Sequence, residues 1–147
     1  MLREQILMIF RHFRKTGGEI LPDSSLSAVR HDFAKDVSLE DYTAELHNMV
    51  NDGLITDEKS GVCLTEKGEL AIYGAFNIND SIEEISKIFQ YFKTVPNGLL
   101  PIGSLEAKKY DMLSPLTHKY LNKVLDECVL RGYIEKATNG LILKKRF

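Results

Sequence analysis

Apolar residues recur at helical spacing from the start of the chain: Leu2, Ile6, Ile9, Phe10 and Phe13 mark a first helix, with Gly17-Gly18 as its stop. Glu19 to Pro22 reads as a short extended piece, because a residue preceding proline is pushed out of the helical region. Asp23, Ser24 and Ser25 offer N-caps to a second helix, SLSAVRHDFA, whose apolar face is Leu26, Val29 and Phe33. Ser38 caps a third, striped by Tyr42, Leu46, Met49 and Val50 and closed by Gly53 at a left-handed C′ position. LIT, the polar turn DEKSG and VCL then form a hairpin. Thr65 caps a fourth helix running from Glu66 to Phe76.

The same pattern returns 79 residues later. Ile9-Phe10 falls on Ile88-Phe89, Leu21-Pro22 on Leu100-Pro101, Gly53 on Gly132, Gly61 on Gly140 and Leu64 on Leu143, without a gap. The matches are mainly apolar residues and glycines, so the copies share a fold specification more than a surface. The expected fold is α+β and mainly helical, in two modules covering residues 1–77 and 80–147. Between them lies Asn77-Ile78-Asn79-Asp80, with Ser81 and Glu84 as the capping box of the next helix. The second copy stops where its own fourth helix would begin, which leaves helix 66–76 available to pack on both modules. A unit of about 65 residues is marginal alone, so mutual packing is expected.

Helix, short strand, helix, turn, helix and hairpin is the order of a winged helix-turn-helix unit. The stretch DGLITDEKSGVCLTEKGELAIY resembles the end of the recognition helix, the wing and the following helix entry of bacterial winged-helix transcription regulators. The resemblance implies two tandem modules, each a three-helix core with a β-hairpin wing. It also implies dimerisation through flanking helices. The phenylalanines of helix one (Phe10, Phe13; Phe89, Phe92) and the apolar residues of helix 66–76 would supply a homodimer face, unless contact between the modules consumes them. Winged helices serve both as DNA readers and as protein-interaction modules, so the fold alone does not choose.

Charge separates the copies. Residues 1–79 hold 8 Lys/Arg against 13 Asp/Glu, a net of −5, and residues 80–147 hold 11 against 8, a net of +3. In the first copy the outward face of the third helix shows Glu40, Asp41, Thr43, Ala44, His47 and Asn48, which would set carboxylates against phosphates, and Glu45 joins Glu40 and Asp41 as the acids a protein partner would use. In the second copy the helix starting near Thr117 shows His118, Lys119, Asn122 and Lys123, residue types suited to a DNA groove. Lys108 and Lys109 before it, and Lys144, Lys145 and Arg146 after the wing, would add phosphate contacts. One reading is therefore double-stranded DNA binding by the second copy. The alternative is a non-catalytic adaptor that holds a protein partner through the acidic face or through Phe10 and Phe13; a pI near 6.1 and lysines that merely solvate a helix suit it.

Catalytic chemistry has little to stand on. The four histidines sit singly, Gly17-Gly18 lacks the context of a phosphate loop, and no Cys/His spacing encodes a metal site. Cofactors and metals are not expected, and Cys63 and Cys128 read as small core residues. With 44% hydrophobic and 27% charged residues, no apolar run of about 20, and an opening MLREQILMIF without a signal-type core, the expected setting is cytoplasmic, away from membranes.

Overall fold

The computed structural model describes residues 1–147. Eight helices and two three-stranded antiparallel sheets make it mixed α+β and mainly helical. The chain divides into two units, Met1–Ala75 and Phe76–Phe147.

The first unit runs α1 (Leu2–His12), β1 (Ile20–Pro22), α2 (Asp23–Phe33), α3 (Leu39–Asn51), β2 (Ile55–Glu58), β3 (Gly61–Leu64) and α4 (Glu66–Tyr73). β3 lies between β1 and β2, pairing Ile20 with Cys63 and Ile55 with Leu64. Ile6, Ile9, Phe10, Leu21, Met49 and Leu64 are fully buried at the centre. α1 does not run to the glycines. It stops at Phe13, and Arg14 takes the left-handed turn itself with φ 57°. α2 also departs from expectation: it begins at Asp23 straight from extended Pro22, with no side-chain cap, and Asp23 sits in its first turn, where a carboxylate favours the dipole. The Ser38 cap is present, its Oγ accepting the Asp41 N–H. Thr65 Oγ1 likewise accepts from the Gly68 N–H at 3.0 Å. α4 ends at Tyr73, three residues early, because Gly74 turns the chain at φ 76°.

The second unit runs α5 (Ile78–Tyr91), β4 (Leu99–Pro101), α6 (Ile102–Met112), α7 (Pro115–Lys119), α8 (Leu121–Leu130), β5 (Ile134–Ala137) and β6 (Gly140–Leu143). Its sheet repeats the first, with Leu99 opposite Ile142 and Ile134 opposite Leu143. Gly53 and Gly132 occupy matching places between a helix and a strand, at φ 77° and 80°. The core is again its own, built on Ile85, Ile88, Phe89, Leu100, Leu105 and Val124.

Two expectations for this unit are corrected. The cap of α5 is Asn77, whose Oδ1 accepts from the Asn79 and Asp80 N–H groups, so Ser81 and Glu84 lie inside the helix and form no capping box. The third helix is also not continuous. Ser114 caps it and Pro115 takes the first position, a place proline favours because its missing N–H is not needed there. This start lies three residues ahead of the counterpart of Leu39. The helix then breaks at Tyr120 (φ −103°, ψ 24°), separating α7 from α8.

Candidate nucleic-acid interface

The start of α7 is fixed from below by a polar node. Thr117 is fully buried; its Oγ1 shares hydrogen bonds with Ser81 Oγ at 2.7 Å and Ser114 Oγ at 3.1 Å, and donates to Glu84 Oε2 at 3.0 Å. Glu84 also accepts from the Ser114 N–H at 2.6 Å. Thr117 therefore cannot meet a ligand at the surface, a correction to its place among the DNA contacts. Its hydroxyl is spent inside the unit.

Above this node the break at Tyr120 rearranges the expected row. His118 and Lys119 end α7, Asn122 and Lys123 begin α8, and the four no longer share one continuous helix. The His118 ring sits half-buried, edge-on to Tyr110 at 5.2 Å. Lys119 Nζ lies 5.1 Å from the Tyr120 ring, Tyr120 tilts against Phe76 at 4.6 Å, and Lys123 Nζ lies 5.6 Å from Phe76. Asn122 and Lys123 are exposed. The result is a small surface of two ammonium groups and an amide over an aromatic pair. Phe76 and Tyr120 were not legible as site residues: Phe76 read as the end of a helix, and Tyr120 as an interior position of one.

The remaining basic residues disperse. Lys108 is 3.7 Å from Asp111 and lies over the Tyr91 ring at 4.4 Å, Lys109 is 3.0 Å from Glu106, and Lys144 is 3.4 Å from Glu135. Such pairs add little stability, yet each places a carboxylate where a phosphate would have to approach. Lys145 lies over Tyr133 at 5.2 Å, and Arg146 lines a separate cleft with Phe89 and Lys93. Of the ten expected contacts, the structure brings together Lys119, Asn122 and Lys123.

In the first unit Glu40 and Asp41 are exposed in the first turn of α3, as expected. Glu45 is committed elsewhere: half-buried, it accepts from Arg3 at 3.3 Å, and Arg3 also reaches Asp52 at 2.7 Å. Phe10 is fully buried in the first core, and Phe13 is half-buried against it, edge-on to His12 at 4.9 Å. The phenylalanine stripe proposed as a partner or dimer face is internal packing. Cys128 is buried, which pushes its thiol up to about 11, whereas Cys63 is only half-buried. No helix is long and apolar enough to cross a membrane. In comparisons with known proteins, no family model, curated protein or solved structure matches this chain.

Proposed function

We propose that the chain is a non-catalytic regulator built from two winged-helix modules, and that the second binds double-stranded DNA through the surface at the α7–α8 junction. Support for the modules comes from the element order helix, strand, helix, helix, hairpin in the first unit, repeated in the second with its third helix broken into α7 and α8, and from the β1-β3-β2 strand order repeated as β4-β6-β5. The observation that carries the DNA reading is the exposed pair Asn122 and Lys123 beside Lys119, with no carboxylate bonded to Lys123. Lys119 and Lys123 supply charge to phosphates, and Asn122 has the paired donor and acceptor that match an adenine edge.

An anisotropy titration of labelled duplex DNA at 50 and 150 mM salt tests this. Binding is expected tighter than about 100 μM at the higher salt, the weak edge of non-specific affinity. Lys119→Ala with Lys123→Ala should flatten the salt slope by about two units. Asn122→Ala should erode discrimination among sequences by about 1 to 3 kcal/mol with less effect on random DNA. Absence of binding up to 100 μM would reject the reading.

A second reading, a protein-interaction adaptor, is favoured by one observation: α3 opens on Leu39, 64% exposed, followed by exposed Glu40 and Asp41. An apolar residue beside two carboxylates suits a basic protein surface and repels nucleic acid. Under that reading Glu40→Lys with Asp41→Lys abolishes partner binding, and duplex DNA is not bound by either protein.

A further inference from the structure

The groove between α2, α3 and the hairpin is finished differently in the two units. In the first it has a volume of about 210 Å³, and each element lends it one apolar and one polar residue: Leu26 and Asp23 from α2, Leu46 and His47 from α3, Ile55 and Asp57 from β2. Spacing explains the division. Ile55 and Asp57 are two apart on a strand and share its face, while Asp23 and Leu26 are three apart on a helix. Leu26 and Ile55 are buried and Leu46 is half-buried, so apolar area forms the floor. Asp23, His47 and Asp57 stand exposed at the rim, and none of the three makes an ion pair or a side-chain hydrogen bond.

In the second unit the same place is bridged from within. The counterpart of Asp57 is Lys136, which stands opposite Leu141 in the register that sets Asp57 opposite Val62. Its ammonium bonds to Asp126, the counterpart of His47, so its four-carbon stem reaches from β5 across to α8. Leu125 there is 7% exposed, whereas its counterpart Leu46 is only half-buried. Ile102 replaces Asp23, which removes one rim carboxylate. The first unit has no lysine at this place. It has instead an uncovered apolar floor beneath two carboxylates and an imidazole, with the carboxylates on α2 and β2 rather than on the helix that supplies Asp126.

We propose that the first unit's groove is the docking site for a lysine side chain of a partner protein. The stem lies over Leu26, Leu46 and Ile55, and the ammonium donates to Asp23 and Asp57, with a nitrogen of His47 as a further acceptor. Charge selects a cation, and the apolar floor selects one carried on an alkyl stem. Volume selects a side chain: small-molecule sites begin at about 300 Å³, above the 210 Å³ found here. A bare metal ion does not fit, because no three carboxylate, imidazole or thiol groups converge closely enough to hold one. Phosphates are repelled by the same carboxylates. The inference rests on neither reading given above, since the groove uses no residue of the α7–α8 surface and neither Glu40 nor Asp41.

The test titrates the full chain, labelled with nitrogen-15, with a short capped peptide carrying one central lysine among glycines and alanines. Saturable amide shifts are expected at Leu26, His47 and Asp57, with a Kd of about 1 mM or tighter, the affinity of a single anchored side chain. The same peptide with norleucine or Nε-acetyllysine at its centre keeps the stem and loses the charge, and should bind about tenfold more weakly. His47→Asp with Asp57→Lys rebuilds the second unit's pair, fills the groove from within and should abolish the shifts. Asp57→Asn keeps the shape and should weaken binding about threefold or more. These positions are exposed, and an unchanged circular dichroism spectrum keeps the comparison valid. The proposal is overturned by no shifts at 10 mM peptide, by equal binding of the uncharged peptides, by undiminished binding to the double variant, or by pentylamine binding about tenfold more tightly than the peptide, which would indicate a free-amine site that a chain cannot enter. Duplex titrations of Asp57→Asn keep this outcome separate from that of the DNA reading, because the substitution touches neither Asn122 nor Lys123.

Discussion

Thr117→Val isolates the polar node beneath α7. Valine keeps the shape of threonine, so no cavity opens and the change is the removal of one hydroxyl that is fully buried. Three partners lose it. Ser114 is exposed and recovers water, and Glu84 is partly exposed and keeps the 2.6 Å bond from the Ser114 N–H. Ser81 is 3% exposed and has its 2.7 Å bond to Thr117 as its side-chain partner, so its hydroxyl is stranded. Stranding a buried polar group costs about 1 to 3 kcal/mol, and weakening one charge-assisted bond to Glu84 adds to it. The expected total is about 2 kcal/mol. For a unit of this size each kcal/mol lowers the midpoint by about 4 to 8 °C, so scanning calorimetry should show the second unit melting roughly 8 to 16 °C earlier. Ser81→Ala in the same background decides the mechanism. Once both hydroxyls are gone nothing is stranded, and the double variant should cost about 1 kcal/mol less than the sum of the singles. A Thr117→Val loss under about 0.5 kcal/mol, or strict additivity, would refute the claim that the node holds α7.

Further outcomes can be checked on the same protein. Gly140→Ala should cost about 3 kcal/mol, the upper range for overpacking, since its Cβ would stand 2.1 Å from the Leu100 carbonyl oxygen, and Gly61→Ala should act alike at 2.2 Å from Leu21; urea unfolding reads both. Cys63 should react with a thiol reagent at pH 8 in the native protein and Cys128 only after unfolding, because burial holds the latter's thiol at about 11. Burial raises both Cys128, from 9.0 to about 11, and Tyr73, from 10.0 to about 12. The folded state keeps these protons longer than the unfolded chain, so their contribution is complete below pH 9 and is lost as pH rises toward 12. Urea midpoints should fall from pH 8.5 to 11, and a rising midpoint would contradict the burial of these groups.

What was legible in the sequence follows from how local the cause is. Ser38 and Thr65 cap their helices because a hydroxyl followed by a helical run needs only the next three residues to act. Gly53 and Gly132 hold left-handed turns for an equally local reason. Ser81 and Glu84 failed as a capping box because their partners, Ser114 and Thr117, are 30 to 36 residues away, and Asn77 offered a cap one turn earlier. The break at Tyr120 escaped the pattern because Leu116, Val124 and Leu125 keep helical spacing across it. Arg14 takes the turn assigned to Gly17-Gly18 and Lys93 repeats it in the second unit, both at φ above 50°, where packing of the loop outweighs the residue's own preference. At the surface, lysine content pointed to basic faces, but pairing with Glu106, Asp111 and Glu135 is tertiary and left only the α7–α8 junction assembled.

The closure of each core within its own stretch of chain has a consequence for synthesis. Every buried residue of the first core lies between Ile6 and Leu64, and the last side chain packed on it is Ile72. The first unit therefore has all its partners in the chain once residue 75 has been added, while the 72 residues of the second are still to be made. At about 5 to 20 residues per second that interval lasts roughly 4 to 14 s, far longer than a small mixed domain needs to fold. Although the two units share a pattern of apolar residues and glycines close enough to invite exchange of matching strands, they are not unfolded together on the ribosome. β3 has its partners before β6 exists, and vectorial synthesis separates in time two sequences that would otherwise compete for the same pairing.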